Sequence, residues 1–376
     1  MSSPRDAPDL HLLTVREGDL EVRRPMRIGL IAPPWVPVPP PVYGGTELVV
    51  AELAAGFHRA GCEVRLFATG DSTSPVPTEW HFPHALGTEF RPDDELAHVA
   101  AAYRSLHDVD LIHDHTVSGA LWAAQRGVTI PLVTTVHGEL TGSMGSHYAR
   151  MATEGIHIVA ISESQRQTAP WAMIESVIHH GIEVDRFPVG AGDGGYVLFL
   201  GRMHPDKGPH RAVEAARLAG VPIRLAAKMR EPAEHRYFAD VVEPMLGPDA
   251  VYLGEVSQRD KVDLLAGAMA LVNPIRWPEP FGLVMIEAMA CGTPVLTFPE
   301  GAAPEIVEDG ETGFLCGDVE GLADAIRRVG AGALQRAACR ERAVEHFSTE
   351  RMVREHLALY QRVLASGDQW VEAAST

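Results

Sequence analysis

This 376-residue chain has little of what marks several large protein classes. Its four cysteines, Cys62, Cys291, Cys316 and Cys339, are widely scattered and form no C-x-x-C pair, so a disulfide framework is not expected and reduced thiols in the cytoplasm are. No window approaches the roughly eighteen apolar residues of a membrane-crossing helix. The first 25 residues alternate charge with proline and lack a continuous apolar core, so no secretory signal is expected there. Lysine is missing altogether between positions 27 and 188, a stretch with nine arginines and about twice as many acids. With a formal net charge of −18 for the whole chain, this argues against a nucleic-acid partner, whose phosphates need a basic face, and against docking on anionic lipid.

The length allows two substantial cores, and strand and helix patterns alternate throughout, which predicts parallel sheets covered by helices. Residues 1–26 form an extension, with one candidate strand at LHLLTV. A first domain is expected over 27–188, opening on the strand RIGLIA. Six prolines between Pro33 and Pro41 then preclude helix and central strand and make a stiff loop at a sheet edge, where open α/β folds bind ligands. Gly44 and Gly45 follow, either as plain turn glycines or as a close approach of backbone to ligand, before the helix TELVVAELAAGFHRAG. The Gly-rich VGAGDGG near Val189 reads as a linker into a second domain over 189–347. A last helix near 349–366, capped by Ser348, belongs to a closing segment over 348–376.

The densest chemistry lies in EPFGLVMIEAMACGTPV, Glu279 to Val295. Pro278 and Pro280 disfavour helix before them, Gly282 gives a flexible entry, and good helix formers follow, so a helix is predicted to start near Leu283 and to stop at Gly292 and Pro294. Its first turn leaves unpaired N–H groups at the positive end of the helix dipole, which suits a phosphate. Glu279 and Glu287 suit the hydroxyls of polyols on either side of that phosphate; two solvated glutamates on an ordinary amphipathic helix are the alternative. A ligand with hydroxyls flanking a phosphate is a nucleotide sugar. In YVLFLGRMHPDKG, a buried strand is predicted to end at Gly201, leaving Arg202 and Lys207 on a loop entering the next helix. There they read as a diphosphate grip or as two solvated cations.

These two stretches, in this order and at this separation, resemble glycosyltransferase family 4, the retaining nucleotide-sugar transferases with the two-domain GT-B fold. DLIHDHT, PLVTTVHGE, IVAISESQR, VIHHGIEVDRF, VYLGEVS and APEIVEDGETGFL extend the resemblance over most of the chain. One departure is His180, before Gly181, where the family often has Asn.

The resemblance implies an α/β GT-B fold of two Rossmann-like domains facing a cleft, the first binding acceptor and the second nucleotide sugar, with the closing helix crossing back to the first. It implies that Arg202 and Lys207 contact the diphosphate, and that backbone N–H groups of Phe281, Gly282, Leu283 and Val284 bind phosphate and donor hydroxyls. Glu279 would hold the sugar, Glu287 the ribose, and His137 would stand beside the transferring sugar carbon. Gly44 and Gly45 join the donor side. Trp35, Tyr43, His113 and His115 are acceptor-side candidates, with ordinary packing as the alternative. His113, Asp114 and His115 superficially resemble metal ligands, but adjacent strand residues point to opposite faces, so no metal and no cofactor is expected. The expected reaction is hexose transfer, from UDP-glucose first and GDP-mannose second, to a small soluble acceptor, with a specialised metabolite as the acceptor by analogy. A nucleotide-sugar epimerase or phosphorylase on the same fold, or a non-catalytic nucleotide-sugar binder, are the rivals.

Overall fold

A computed structural model describes residues 24–42, 44–87, 91–169 and 174–374. The candidate strand LHLLTV and Tyr43 lie outside the described residues.

Two parallel sheets form in succession. The first has the order β3-β2-β1-β4-β5-β6-β7, with β1 at Arg27–Ile31, β2 at Glu63–Ala68, β3 at Thr78–Trp80, β4 at Leu111–Asp114, β5 at Leu132–Thr135, β6 at His157–Ala160 and β7 at Ile174–Val177. The second has the order β10-β9-β8-β11-β12-β13, with β8 at Val197–Arg202, β9 at Ile223–Lys228, β10 at Ala250–Gly254, β11 at Leu271–Asn273, β12 at Val295–Thr297 and β13 at Gly313–Leu315. Val197, Leu198 and Phe199 are all buried, as expected of a strand covered on both faces. Strand order reverses between β1 and β4 and again between β8 and β11. Such reversals open crevices at the carboxyl ends of strands.

β8 continues one residue beyond Gly201, with Arg202 paired beside Lys228 of β9, so the strand does not stop at the glycine. The loop of six prolines forms neither helix nor strand.

The closing helix, Thr349–Ala374, runs past the expected end near Ser366. Its last residues, QWVEAA, contain no proline to stop it. Ser348 Oγ accepts from the Arg351 N–H at 3.4 Å. Met352, Val353, Leu359, Tyr360 and Val363 join the core of the first domain, with Tyr360 packed 5.4 Å, ring to ring, from Phe57. Thr349 Oγ1 donates to buried Glu52 Oε2 at 2.6 Å. Glu305 of the second domain accepts the N–H groups of Glu163 and Ser164 at 2.8 and 2.7 Å, and His179 Nε2–H at 2.8 Å. Each contact ties the two halves together.

The helix Gly45–Arg59 approaches the closing helix closely at Gly56, where a β-carbon would stand 2.4 Å from Val353 Cγ2 and 3.1 Å from Thr349 Cγ2. In a free helix, Gly→Ala gains about 0.5–1 kcal/mol. Here overpacking of about 1–3 kcal/mol wins, because both neighbours are short β-branched side chains. Gly56→Ala is therefore expected to lower the melting temperature; a rise would show that the helices are not in this contact.

Candidate active site

The two crevices face one another and merge into a cleft of about 1020 Å³. Trp35, Gly44, Gly45 and His137 line it from the first domain, and Lys207, Glu279 and Glu287 from the second.

The helix Leu283–Ala290 begins where the sequence places it. Gly282 adopts φ +99°, a left-handed conformation in which a β-carbon would also meet Met285 Cε at 2.7 Å. The chain can thus turn straight into the helix and present the N–H groups of its first turn to the cleft. A β-carbon on Gly45 would lie 3.6 Å from Leu283 Cδ1. The starts of two helices, one from each domain, meet across the gap.

Beside that tip, Lys207 is ion-paired with Glu279, whose Oε2 also accepts from the Trp277 indole N–H at 2.5 Å. The Lys207 ammonium lies 5.1 Å from the centre of the Trp277 ring. Deeper in, Lys261 Nζ donates to Glu287 Oε1 at 2.5 Å, a carboxylate whose side chain is nearly buried. Lys228, at the end of β9, also lines the cleft. The whole chain has three lysines, and all three line this one cavity. Lys228 and Lys261 were not singled out from sequence; the scarcity of lysine was the signal.

Arg202 stands apart from Lys207. Arg202 ends β8 beside Lys228 of β9, and it does not line the cleft as Lys228 does. The Arg202 guanidinium faces two acids, Nε lying 3.5 Å from buried Glu234 Oε1 and Nη1 4.0 Å from Glu231. It does not join Lys207 at the cleft in this structure.

A row of imidazoles runs from the cleft into the first core. His180 stacks on His137 at 5.3 Å, His137 lies 5.2 Å from His115, His115 4.0 Å from His113, and His113 5.4 Å from His356 of the closing helix. Burial holds all five neutral: His137 is pushed down to about 3, His356 to about 4, and His113, His115 and His180 well below the ordinary value. His113, an acceptor-side candidate in the sequence, is instead packed in the core away from the cleft. It is fully buried, with Nδ1 bonded to Tyr360 Oη at 2.6 Å and Nε2 to Thr135 Oγ1 at 2.8 Å. His115 also stands behind the cleft wall, its Nδ1 2.9 Å from His137 Nε2. Asp114 points the other way, bonded to Tyr103 and Thr116. Among the described residues no group of three His, Cys, Asp or Glu side chains is arranged to hold a metal ion.

His115 Nε2 is buried without a partner, so the less costly tautomer leaves a bare lone pair there and places the proton on Nδ1. His115 then donates to His137 Nε2, and His137 keeps its own proton on Nδ1, a neutral donor for a ligand oxygen. His180, where the family often has Asn, lines the cleft at one end of this row.

Residues 43–186 match the model of Glycosyltransferase Family 4, and residues 182–346 match that of Glycosyl transferases group 1. D-inositol 3-phosphate glycosyltransferase of Mycolicibacterium smegmatis is 27% identical over 92% of this chain and 93% of its own. Among solved structures, AviGT4, a glycosyltransferase involved in avilamycin A biosynthesis, is 26% identical with a TM-score of 0.70 over 91% of this chain and 98% of that one. Anabaena HepE, solved with UDP and glucose, is 21% identical with a TM-score of 0.72 over 90% and 100%, and shares the fold. The two family models overlap at 182–186 and together span both domains and the cleft between them, and the chain belongs to glycosyltransferase family 4, with the GT-B fold.

Proposed function

We propose that this glycosyltransferase moves a hexose from a nucleoside diphosphate sugar to a small soluble acceptor, with retention of configuration. UDP-glucose is the preferred donor and GDP-mannose the second. The observation that carries this reading is the meeting, in one cleft, of a helix N-terminus, three lysines and two glutamates. In this account the diphosphate sits on the N–H groups of Gly282, Leu283 and Val284 with Lys207 beside it, Glu287 holds the ribose, and Glu279 orients the sugar hydroxyls. The bond from the sugar C1 to the phosphate oxygen breaks and one from C1 to the acceptor oxygen forms on the same face. The acceptor proton passes to the departing phosphate. Lys207 and the helix tip stabilise the charge that grows on that phosphate, and the neutral His137 Nδ1–H donates to a sugar oxygen. A specialised metabolite as acceptor is supported by the likeness to AviGT4, a protein of avilamycin A biosynthesis.

Nucleotide release measured over a panel of donors, without and then with candidate acceptors, tests the reading. Release that rises with acceptor, and a product whose anomeric configuration by NMR matches the donor's, is expected. A sugar altered in the absence of any acceptor would make the protein an epimerase, and binding without release a sensor.

A further inference from the structure

Glu47 is unlike the other acids of the cleft. Glu279 and Glu287 each hold a lysine, Glu255, also on the wall, holds Arg230 at 2.8 Å, and Asp263 is exposed to solvent. Glu47 lines the cleft from the first turn of the helix Gly45–Arg59, is only 3% exposed, and has no partner on Oε1. Its Oε2 is turned back toward the helix start, 3.0 Å from where a β-carbon on Gly44 would stand. A buried carboxylate oxygen left unpaired is costly in isolation, and in a substrate cleft a ligand donor removes that cost.

Arg186 is the other charged group from the first domain on this wall, and its side chain is largely exposed, 3.7 Å from Glu52. Lys228 stands on the second-domain side and draws the Glu47 carboxyl down, but burial dominates and pushes it up to about 7. A hydroxyl or ammonium set on Oε1 would favour the ionised form. A phosphate brought to the same place would meet like charge in a desolvated site.

We propose that Glu47 is the acceptor-recognition residue, and that the acceptor presents it with a hydrogen-bond donor, a hydroxyl or a protonated amine, where an acceptor such as D-inositol 3-phosphate would present a phosphate. The inference rests on the transferase reading above. It makes this enzyme a transferase of unphosphorylated acceptors although a 27% identical relative is named for a phosphorylated one.

Calorimetry on the UDP-loaded protein with two pairs of probes tests it: myo-inositol against D-inositol 3-phosphate, and glucosamine against glucosamine 6-phosphate. Each unphosphorylated probe is expected to bind at least tenfold tighter than its phosphorylated twin. The inositol and glucosamine arms separate a hydroxyl from an ammonium as the recognised group. Glu47→Gln, which keeps shape and removes charge, is expected to narrow both preferences at least fivefold while UDP affinity stays within twofold. Equal binding within a pair, a preference for the phosphorylated probes, or a Glu47→Gln variant with unchanged preferences overturns the proposal. Failure of the wild-type protein to bind UDP would instead overturn the function reading, and this inference with it.

Discussion

Lys207→Ala is expected to lower kcat by about 10²–10³-fold, the loss seen when one preorganised donor to a developing oxyanion is removed. The KM for the donor should change far less. The charge Lys207 opposes is spread over a neutralised diphosphate before reaction and grows as the sugar leaves, so the interaction strengthens toward the transition state. The ammonium is well placed for this, next to the Trp277 ring and the first turn of the helix Leu283–Ala290. Steady-state kinetics with single-turnover measurements separate the two quantities. Equal losses in kcat and in donor affinity would make Lys207 a binding residue only.

Glu279→Gln is the second large effect. The carboxylate accepts from Trp277 Nε1–H and pairs with Lys207, so it sets where the ammonium sits as well as meeting the sugar. The amide keeps the size and can still accept from Trp277, but it loses the charge. A hydrogen bond to a charged group contributes about 1.5–3 kcal/mol, so transfer should fall by roughly one to two orders of magnitude. The melting temperature should stay close to wild type, because the side chain faces the cleft and not a core. Unchanged transfer would remove Glu279 from the site.

Much of this site was legible in the sequence because its signals are local. Proline before Glu279, glycine at 282 and helix formers after it determine one turn of chain, and the helix begins at Leu283 as read. The same local reading put the end of β8 one residue early, before Arg202. Taking Gly201 as the strand end placed Arg202 on a loop, whereas it is the last residue of β8 with its guanidinium beside Glu234. Lys228 ends the strand beside it and was overlooked, although a chain with three lysines in 376 residues makes each of them informative. The histidine row was the least accessible part. His113 and His115 share a face by strand alternation, but His137 and His180 come from later loops and His356 from the closing helix. Their stacking depends on how β4, β5 and the last helix pack, which no short window encodes.

The central claim is that one cleft, built mainly by the second domain, holds the diphosphate. A crystal structure of the protein with UDP bound tests it most directly. The account predicts the β-phosphate within hydrogen-bonding distance of the Gly282, Leu283 and Val284 N–H groups and of Lys207 Nζ, with the ribose hydroxyls on Glu287. A nucleotide found elsewhere, or in the cleft with its phosphates turned away from the helix start, would contradict it.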